Sequence, residues 1–368
     1  MARPRIDPVT WRPERAPARA RHGRGANPMP PVRLHAVPGQ GPEDIAVDSA
    51  GRVYTGLTNG HLVRLPATAD AGRQVGRVDA DGDGDADRDA VLRPVAETGG
   101  RPLGIEVDHD DRLVVCDAVR GLLRVDPATS GVSTLVATGT QVGSAPLRLC
   151  NNAAVAEDGS IWFSDSSQRF ELVHWKADLL EHSGTGRLLR WHPDGRTEEV
   201  LTGLQFANGV ALAADESYVV VAETGAYRLT RVWLSGPRTG EVDRLADNLP
   251  AFPDNLARDG DGLLWIAMGS PRNALLDRVA PWHPAIRRAV WALPEALQPK
   301  PANTAWVQAL DTDGRVRYDF QATVPGFATV TGVRRHGDTL WLGSLHGGVV
   351  AAFDLPATTS AADPPDPS

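Results

Sequence analysis

Short apolar runs rich in Val, Ile, Leu and Trp recur along the chain, each closed by a cluster of Asp, Gly or Asn. This pattern reads as strands joined by tight turns. Branched and aromatic side chains fit a pleated, buried surface, and Asp, Asn and Gly accept turn geometry. The runs repeat as a unit: a short strand ending near an acidic turn, a β-rich strand, another turn and a third strand. Six units begin at Glu43 (EDIAVDSAGRVYTGL), Leu103 (LGIEVDHDDRLVVCD), Asn151 (NNAAVAEDGSIWFSD), Asn208 (NGVALAADESYVVVAE), Asp254 (DNLARDGDGLLWIAMGS) and Thr331 (TGVRRHGDTLWLGS). A unit of this size suits one four-stranded blade, so the chain is expected to be all-β, a six-bladed β-propeller over residues 32–356.

A ring of blades must close, because an open ring leaves a sheet edge exposed. Residues 32–37 (VRLHAV) are expected to supply the outer strand of the last blade, whose own sequence runs out near Leu355. The widest spacing lies between units five and six. There, residues 275–297 carry helix formers and helical apolar spacing, which predicts a short helical lid insertion over 271–306. Residues 1–31, rich in Arg and Pro, read as a flexible arm. Residues 357–368, polar and Pro-rich, read as a disordered tail.

Aligning the units on their first strands places Ile45, Ile105, Ala153, Val210, Leu256 and Val333 in register. Two positions earlier stand Glu43, Leu103, Asn151, Asn208, Asp254 and Thr331. The innermost strands of a propeller line its central channel, so these six positions form a ring about the axis. Glu43, Asn151, Asn208 and Asp254 are unusual choices for the start of an apolar strand. Single residues of this kind cap strand starts by local hydrogen bonds, but four in register call for another reason. Two carboxylates and two amide oxygens make a hard-oxygen cage that neutralises one divalent cation, most simply Ca²⁺, with Mn²⁺, Mg²⁺ or Zn²⁺ as alternatives. The ring has no His or Cys, which disfavours a dedicated zinc site.

Composition narrows the classes. The chain has 368 residues and a formal charge of −8, which excludes a general nucleic-acid binder. No apolar run is long enough for a transmembrane helix, and the N-terminus lacks the apolar stretch of a secretory signal. Cys116 and Cys150 sit in apolar runs and read as reduced, buried thiols. The expectation is a cytoplasmic protein, monomeric or weakly homo-oligomeric, that acts on a small-molecule substrate without nucleic acid or membrane partners. The segment 78–90 (VDADGDGDADRDA) imitates a calcium loop, but Ala90 stands where a bidentate Glu is needed. It reads as a solvated acidic hairpin tip, with a peripheral calcium site as the alternative.

The motifs FANGVAL (206–212), VAET with Arg228, PDN (253–255), SIWFSDSS (160–167) and GRLLRW (186–191) resemble the strictosidine synthase-like branch of the SMP-30/gluconolactonase superfamily. Calcium lactonases of the paraoxonase type are more distant members. The resemblance covers about residues 32–355 and implies a six-bladed propeller with a channel metal. It assigns the ligands to Glu43, Asn151, Asn208 and Asp254, the four found by internal alignment, and adds Asn255. One departure stands out. An N-D-V motif reads Asn151-Asn152-Ala153 here, which weakens any second calcium site shared with Asp44.

A cation in such a cage polarises a lactone or ester carbonyl, and a neighbouring carboxylate activates water. The resemblance gives that second task to Asp254. The expected function is metal-dependent hydrolysis of a lactone or related ester. Arg101, Phe206, Trp282, His283 and His346 are candidate substrate contacts. The alternatives are a strictosidine synthase-like condensation or lyase reaction and a non-catalytic ligand-binding propeller. The plant synthases use a last-blade Glu, whereas residues 321–337 here contain no acidic residue. Glu223 and Arg228 are expected to form an internal pair between blades.

Overall fold

A computed structural model describes residues 3–18, 27–66 and 93–356. The Asp-rich segment and the C-terminal tail lie outside these. Six four-stranded antiparallel sheets form the six blades. Their innermost strands are Ile45–Val47, Pro102–Val107, Cys150–Val155, Ala207–Leu212, Ala251–Arg258 and Val330–His336.

The middle strands are apolar at both parities because both of their faces are buried. Each of six apolar clusters fills the gap between two adjacent blades. Ile45, for example, packs with Trp341 and Val350 of blade six, while its neighbour Ala46 packs with Ile105 and Val115 of blade two. Asp side chains fix the first turns. Asp48 accepts from the N–H groups of Ala50 and Arg52, and Asp108 from those of Asp110 and Arg112. Cys116 and Cys150 lie free and buried in one such cluster.

The ring closes with the N-terminal strand. Arg33–Ala36 pairs antiparallel with Val349–Asp354, the third strand of blade six. Arg33 donates to both oxygens of Asp354, at 2.7 and 2.8 Å, and the Thr339 hydroxyl reaches the same carboxylate.

The helical insertion enters blade five between its second strand, Leu264–Pro271, and its third, Ala305–Leu310. It holds two helices, Ala274–Val279 and Pro284–Ala292. A further helix, Trp175–Glu181, sits at the corresponding point of blade three. In chain order these are α2, α3 and α1. Residues 3–15 depart from the flexible arm expected of them. They run as an extended strap over the helices. Trp291 of α3 donates its indole N–H to the Pro4 carbonyl, and the Val9 N–H reaches the Glu181 carbonyl. Ile6 is buried among Phe170, Leu180 and Trp291. The prolines that argue against a helix here favour the extended backbone that makes these contacts. Among the described residues no helix is long and apolar enough to cross a membrane.

Candidate metal centre and its cavity

The ring positions sit at a break in strand pairing. In blades two to six the register between the first and second strands shifts across the ring residue and its successor, as between Cys150 and Ala153 or Ala207 and Val210. Such a bulge re-aims side chains that would otherwise alternate between faces. Two consecutive residues per blade can therefore turn toward the axis. Contacts across the channel show that they do. Asn255 of blade five donates to the Glu43 carboxylate at 3.3 Å, and Asn152 of blade three donates to Asp44 at 3.2 Å.

The successors follow an alternation: Asp44, Gly104, Asn152, Gly209, Asn255 and Gly332. The glycines let the next blade approach. A Cβ on Gly104, Gly209 or Gly332 would lie 2.6 Å from the carbonyl oxygen of Asn151, Asp254 or Glu43 respectively. The intervening polar residues stitch blades together. Asp44 accepts from the Ile105 N–H at 3.1 Å, and Asn152 Oδ1 from the Val210 N–H at 2.8 Å. Asn152 and Asp44 are thereby engaged with neighbouring blades. Burial raises Asp44 to about 7, opposed first by the charge of Arg334.

The upper layer is different. Asn151 donates its Nδ2 to Ser166 Oγ at 2.8 Å, and Asn208 donates its own to Thr224 Oγ1 at 3.2 Å. Those hydroxyls donate onward to the Ala207 and Pro253 carbonyls, both at 2.7 Å. Each amide is locked with its nitrogen outward. The Oδ1 atoms of Asn151, Asn208 and Asn255 are buried without a partner. A buried acceptor left unsatisfied costs about 1–3 kcal/mol, so three of them on ring residues beside two carboxylates fit an oxygen-seeking cation. Burial, then the charges of Asp254 and Asp44, push Glu43 well above the carboxylate range. Asp254, with one edge open to the cavity and protein elsewhere around it, is pushed up to about 8, chiefly by burial. A bound cation reverses that balance. Among the described residues no cluster of three or more His, Cys, Asp or Glu side chains is placed to hold a metal. The candidate centre is a mixed carboxylate–amide set.

Above this floor lies a cavity of about 170 Å³. Glu43, Asn151, Asn208 and Asp254 form its base, and Leu103, Phe206, Tyr227 and Phe252 its lower wall. The roof comes from Trp11 of the strap, Trp175, Leu179 and Leu180 of the α1 region, and Leu276 and Val279 of α2. Trp11 stacks on His182 at 3.9 Å between ring centres. Phe206, Tyr227 and Thr329, all cavity residues, hold left-handed backbone with φ of 57–58°. Non-glycine residues pay for that conformation with of order 1 kcal/mol or more, and it concentrates at functional sites.

Of the five expected substrate contacts, Phe206 lines the cavity. Arg101 is buried beside it, donating to the Gly41 and Pro102 carbonyls, and its charge acts on Glu43. His283 caps α3 by accepting from the Ala285 N–H, and Trp282 is 42% exposed. His346 is exposed, near enough to Lys176 to feel its charge. None of these four contributes to the cavity wall. Glu223 and Arg228 do pair, at 2.6 and 2.8 Å, but within blade four rather than between blades, because they face each other across its second and third strands.

Comparison with known proteins places this architecture. A family model described as strictosidine synthase matches residues 151–237, and one described as strictosidine synthase-like, N-terminal, matches residues 32–65. The adipocyte plasma membrane-associated protein of Salmo salar is 32% identical over 328 residues, 86% of this chain and 76% of that one. Strictosidine synthase-like protein 13 of Arabidopsis thaliana is 36% identical over 267 residues, 69% of this chain and 64% of that one. Among solved structures, a gluconolactonase from Xanthomonas campestris shares the fold with a TM-score of 0.58 at 18% identity, covering 97% of this chain and 99% of the other. Regucalcin of Agrobacterium tumefaciens, a calcium-binding protein, does so at 0.55 and 15%, covering 91% and 94%. The chain belongs to the strictosidine synthase-like family.

Proposed function

We propose that this propeller is a metal-dependent hydrolase of lactones or related esters. The observation that carries the reading is the floor. The Oδ1 atoms of Asn151, Asn208 and Asn255 are buried without a partner, Asn151 and Asn208 share the cavity floor with the Glu43 and Asp254 carboxylates, and Asn255 touches Glu43. Glu43, Asn151, Asn208, Asp254 and Asn255 would hold one divalent cation, with Ca²⁺ the best match to an all-oxygen set. A bound cation supplies Lewis-acid polarisation of the substrate carbonyl.

The chain's own residues do the rest. Asp254, open to the cavity, accepts the proton of the attacking water. Asn255 holds Glu43 in place through its Nδ2. Ser166 and Thr224 keep two amide oxygens aimed at the channel. The apolar walls receive the body of the substrate and exclude bulk water, which strengthens every charge interaction at the floor. Two buried free cysteines accord with a cytoplasmic setting.

The family match favours condensation or lyase chemistry as the second reading. Against it, the innermost strand of blade six, Val330–His336, carries no acidic side chain. The test is a lactone and ester panel assayed after chelation and again after adding Ca²⁺, Mn²⁺, Mg²⁺ or Zn²⁺. The expected result is hydrolysis lost on chelation and restored by one of these ions. Full activity in the chelated protein overturns the reading.

A further inference from the structure

One glycine at the floor is not explained by its backbone. Gly269 lies inside the second strand of blade five, Leu264–Pro271, and lines the cavity. Its backbone is not in the left-handed region that favours glycine. Inside a strand, glycine is less favourable than alanine by roughly 0.5–1 kcal/mol. Such a glycine commonly marks a place where another group comes close.

Internal repetition shows which group. In blades two to six the residue before the ring residue pairs with Asp117, Asp165, Glu223, Met268 and Ser344 respectively. The successors of these partners are Ala118, Ser166, Thr224, Gly269 and Leu345. They suit the ring residues they accompany. Ala118 packs against the cluster that holds Leu103. Ser166 and Thr224 accept from the amides of Asn151 and Asn208. Gly269 faces Asp254, and a Cβ built on it would lie 3.2 Å from Asp254 Oδ2. Of these five blades, only the one that carries the proposed base has no side chain at this point.

The hydroxyls around Asp254 are committed elsewhere. Thr224 donates to the Pro253 carbonyl at 2.7 Å, Thr331 to the Glu43 carbonyl at 2.7 Å and Ser270 to the Pro271 carbonyl at 3.2 Å. An activated hydroxyl nucleophile gives its proton to the base, and these three direct theirs away from Asp254. The space over Gly269 has the acceptors that a water needs. The same Cβ point lies 3.8 Å from the carbonyl oxygen of Phe252 and 3.9 Å from that of Val330. A water in this space finds a carboxylate for one proton and a carbonyl for the other.

We propose that Gly269 is a positioning residue that keeps the place of the attacking water against Asp254 Oδ2. The inference rests on the hydrolase reading above and assigns its nucleophile. The water oxygen bonds to the substrate carbonyl carbon as its proton passes to Oδ2. The C–O bond to the leaving alkoxide then breaks, and the alkoxide takes that proton.

The test compares the parent chain with Gly269→Ala. The methyl group enters the space of the water, and the backbone accepts it. With calcium present, kcat on the ester and lactone panel should fall by about 10²-fold, as expected for a misplaced reactant. KM, the calcium affinity of the chelator-stripped chain and the melting temperature should not fall. An unchanged kcat overturns the inference. So does a calcium affinity that falls as far as kcat, because the glycine then serves to seat Asp254 as a ligand.

Two measurements on the parent stand even where the variant does not fold. A crystal structure with calcium should show an ordered water on Asp254 Oδ2, in contact with the Gly269 Cα. A single turnover in oxygen-18 water should place the label in the product acid. A first product without label means that an oxygen of Asp254 itself attacked, and it overturns the inference, as does a crystal with no water at that place. Failure of the underlying reading looks different. A parent that hydrolyses nothing with any of the four ions removes the hydrolase and this inference together, whereas an active parent with an equally active variant removes the inference alone.

Discussion

The floor and the roof of one cavity are built by opposite means. The floor takes single residues from equivalent positions in the blades, and Asn151, Asn208 and Asp254 are each placed by the same break in strand pairing. It is polar, buried and locked by hydroxyls behind it. The roof takes residues from three unrelated additions, namely the strap, the helix in blade three and the helices in blade five. It is mainly apolar and packs around Ile6, Leu180 and Trp291. A symmetric scaffold suits a task that needs fixed oxygen atoms, whereas sequence additions suit the recognition of one substrate shape.

If that division holds, a change at the floor removes chemistry and a change at the roof removes binding. The largest effect is expected from Asp254→Asn. It keeps the volume and removes the base. Hydrolysis should fall by about 10²–10⁴-fold. Stability should hold or rise, because the charge that acts on buried Glu43 is gone. Initial rates on the lactone panel together with thermal melts check both halves. A variant that melts early and keeps its rate per folded molecule would contradict the assignment.

Next is the layer behind the floor. Thr224→Val removes the acceptor for Asn208 Nδ2 and the donor to the Pro253 carbonyl. Partners of this kind typically contribute about 10–100-fold in metal affinity. Calcium titration into chelator-stripped protein should show a loss in that range, and Ser166→Ala should do the same through Asn151. No change in either variant would mean that the amides are oriented by something other than these hydroxyls.

The two regions also differ in how far they were legible in the sequence. The blades and the four ring residues Glu43, Asn151, Asn208 and Asp254 emerge from internal repetition, because a repeated position repeats its role. The alternation of Asp44, Asn152 and Asn255 with Gly104, Gly209 and Gly332 is equally periodic, and the same alignment shifted by one residue exposes it. The roof repeats nothing. Trp11 lies in a segment whose Arg and Pro content reads as loose chain, yet its neighbour Ile6 is buried and its backbone pairs with α1. Trp282 and His283 carry chemistry-bearing side chains in the right insertion. Helix packing turns the other face of α3, with Arg287, toward the cavity. Which face turns inward depends on the strap, and nothing in the local pattern of α3 records it.

A third expectation therefore concerns the strap. Trp11→Ala removes the stack on His182 and one wall of the cavity. An aromatic pair of this kind contributes about 0.5–1.5 kcal/mol beyond its buried area. KM for a large ester should rise by roughly ten-fold, which corresponds to about 1.4 kcal/mol. kcat on a small lactone and calcium affinity should not move. A fall in kcat with unchanged KM would mean that the roof takes part in the chemistry, and the division would fail.

The smallest effect is expected where the ring closes, and it too separates the regions. The closing clasp supports blade six, which touches the floor through the Thr331 hydroxyl bond to the Glu43 carbonyl at 2.7 Å. The strap and α3 sit elsewhere. Arg33 and Thr339 pull the Asp354 carboxyl down to about 2. The folded value is thus below the unfolded value of about 3.9. The clasp's contribution is complete above about pH 4 and is lost as the pH falls through 2. The pair is exposed, so it contributes only about 0.2–1 kcal/mol. Asp354→Asn should lower the melting temperature slightly above pH 4, and the gap to the parent should close toward pH 2. Calcium affinity should weaken slightly with it, while KM for a large ester, which the roof sets, stays constant. A shift in the roof's affinity equal to that of the floor would show that the two regions are not separately supported.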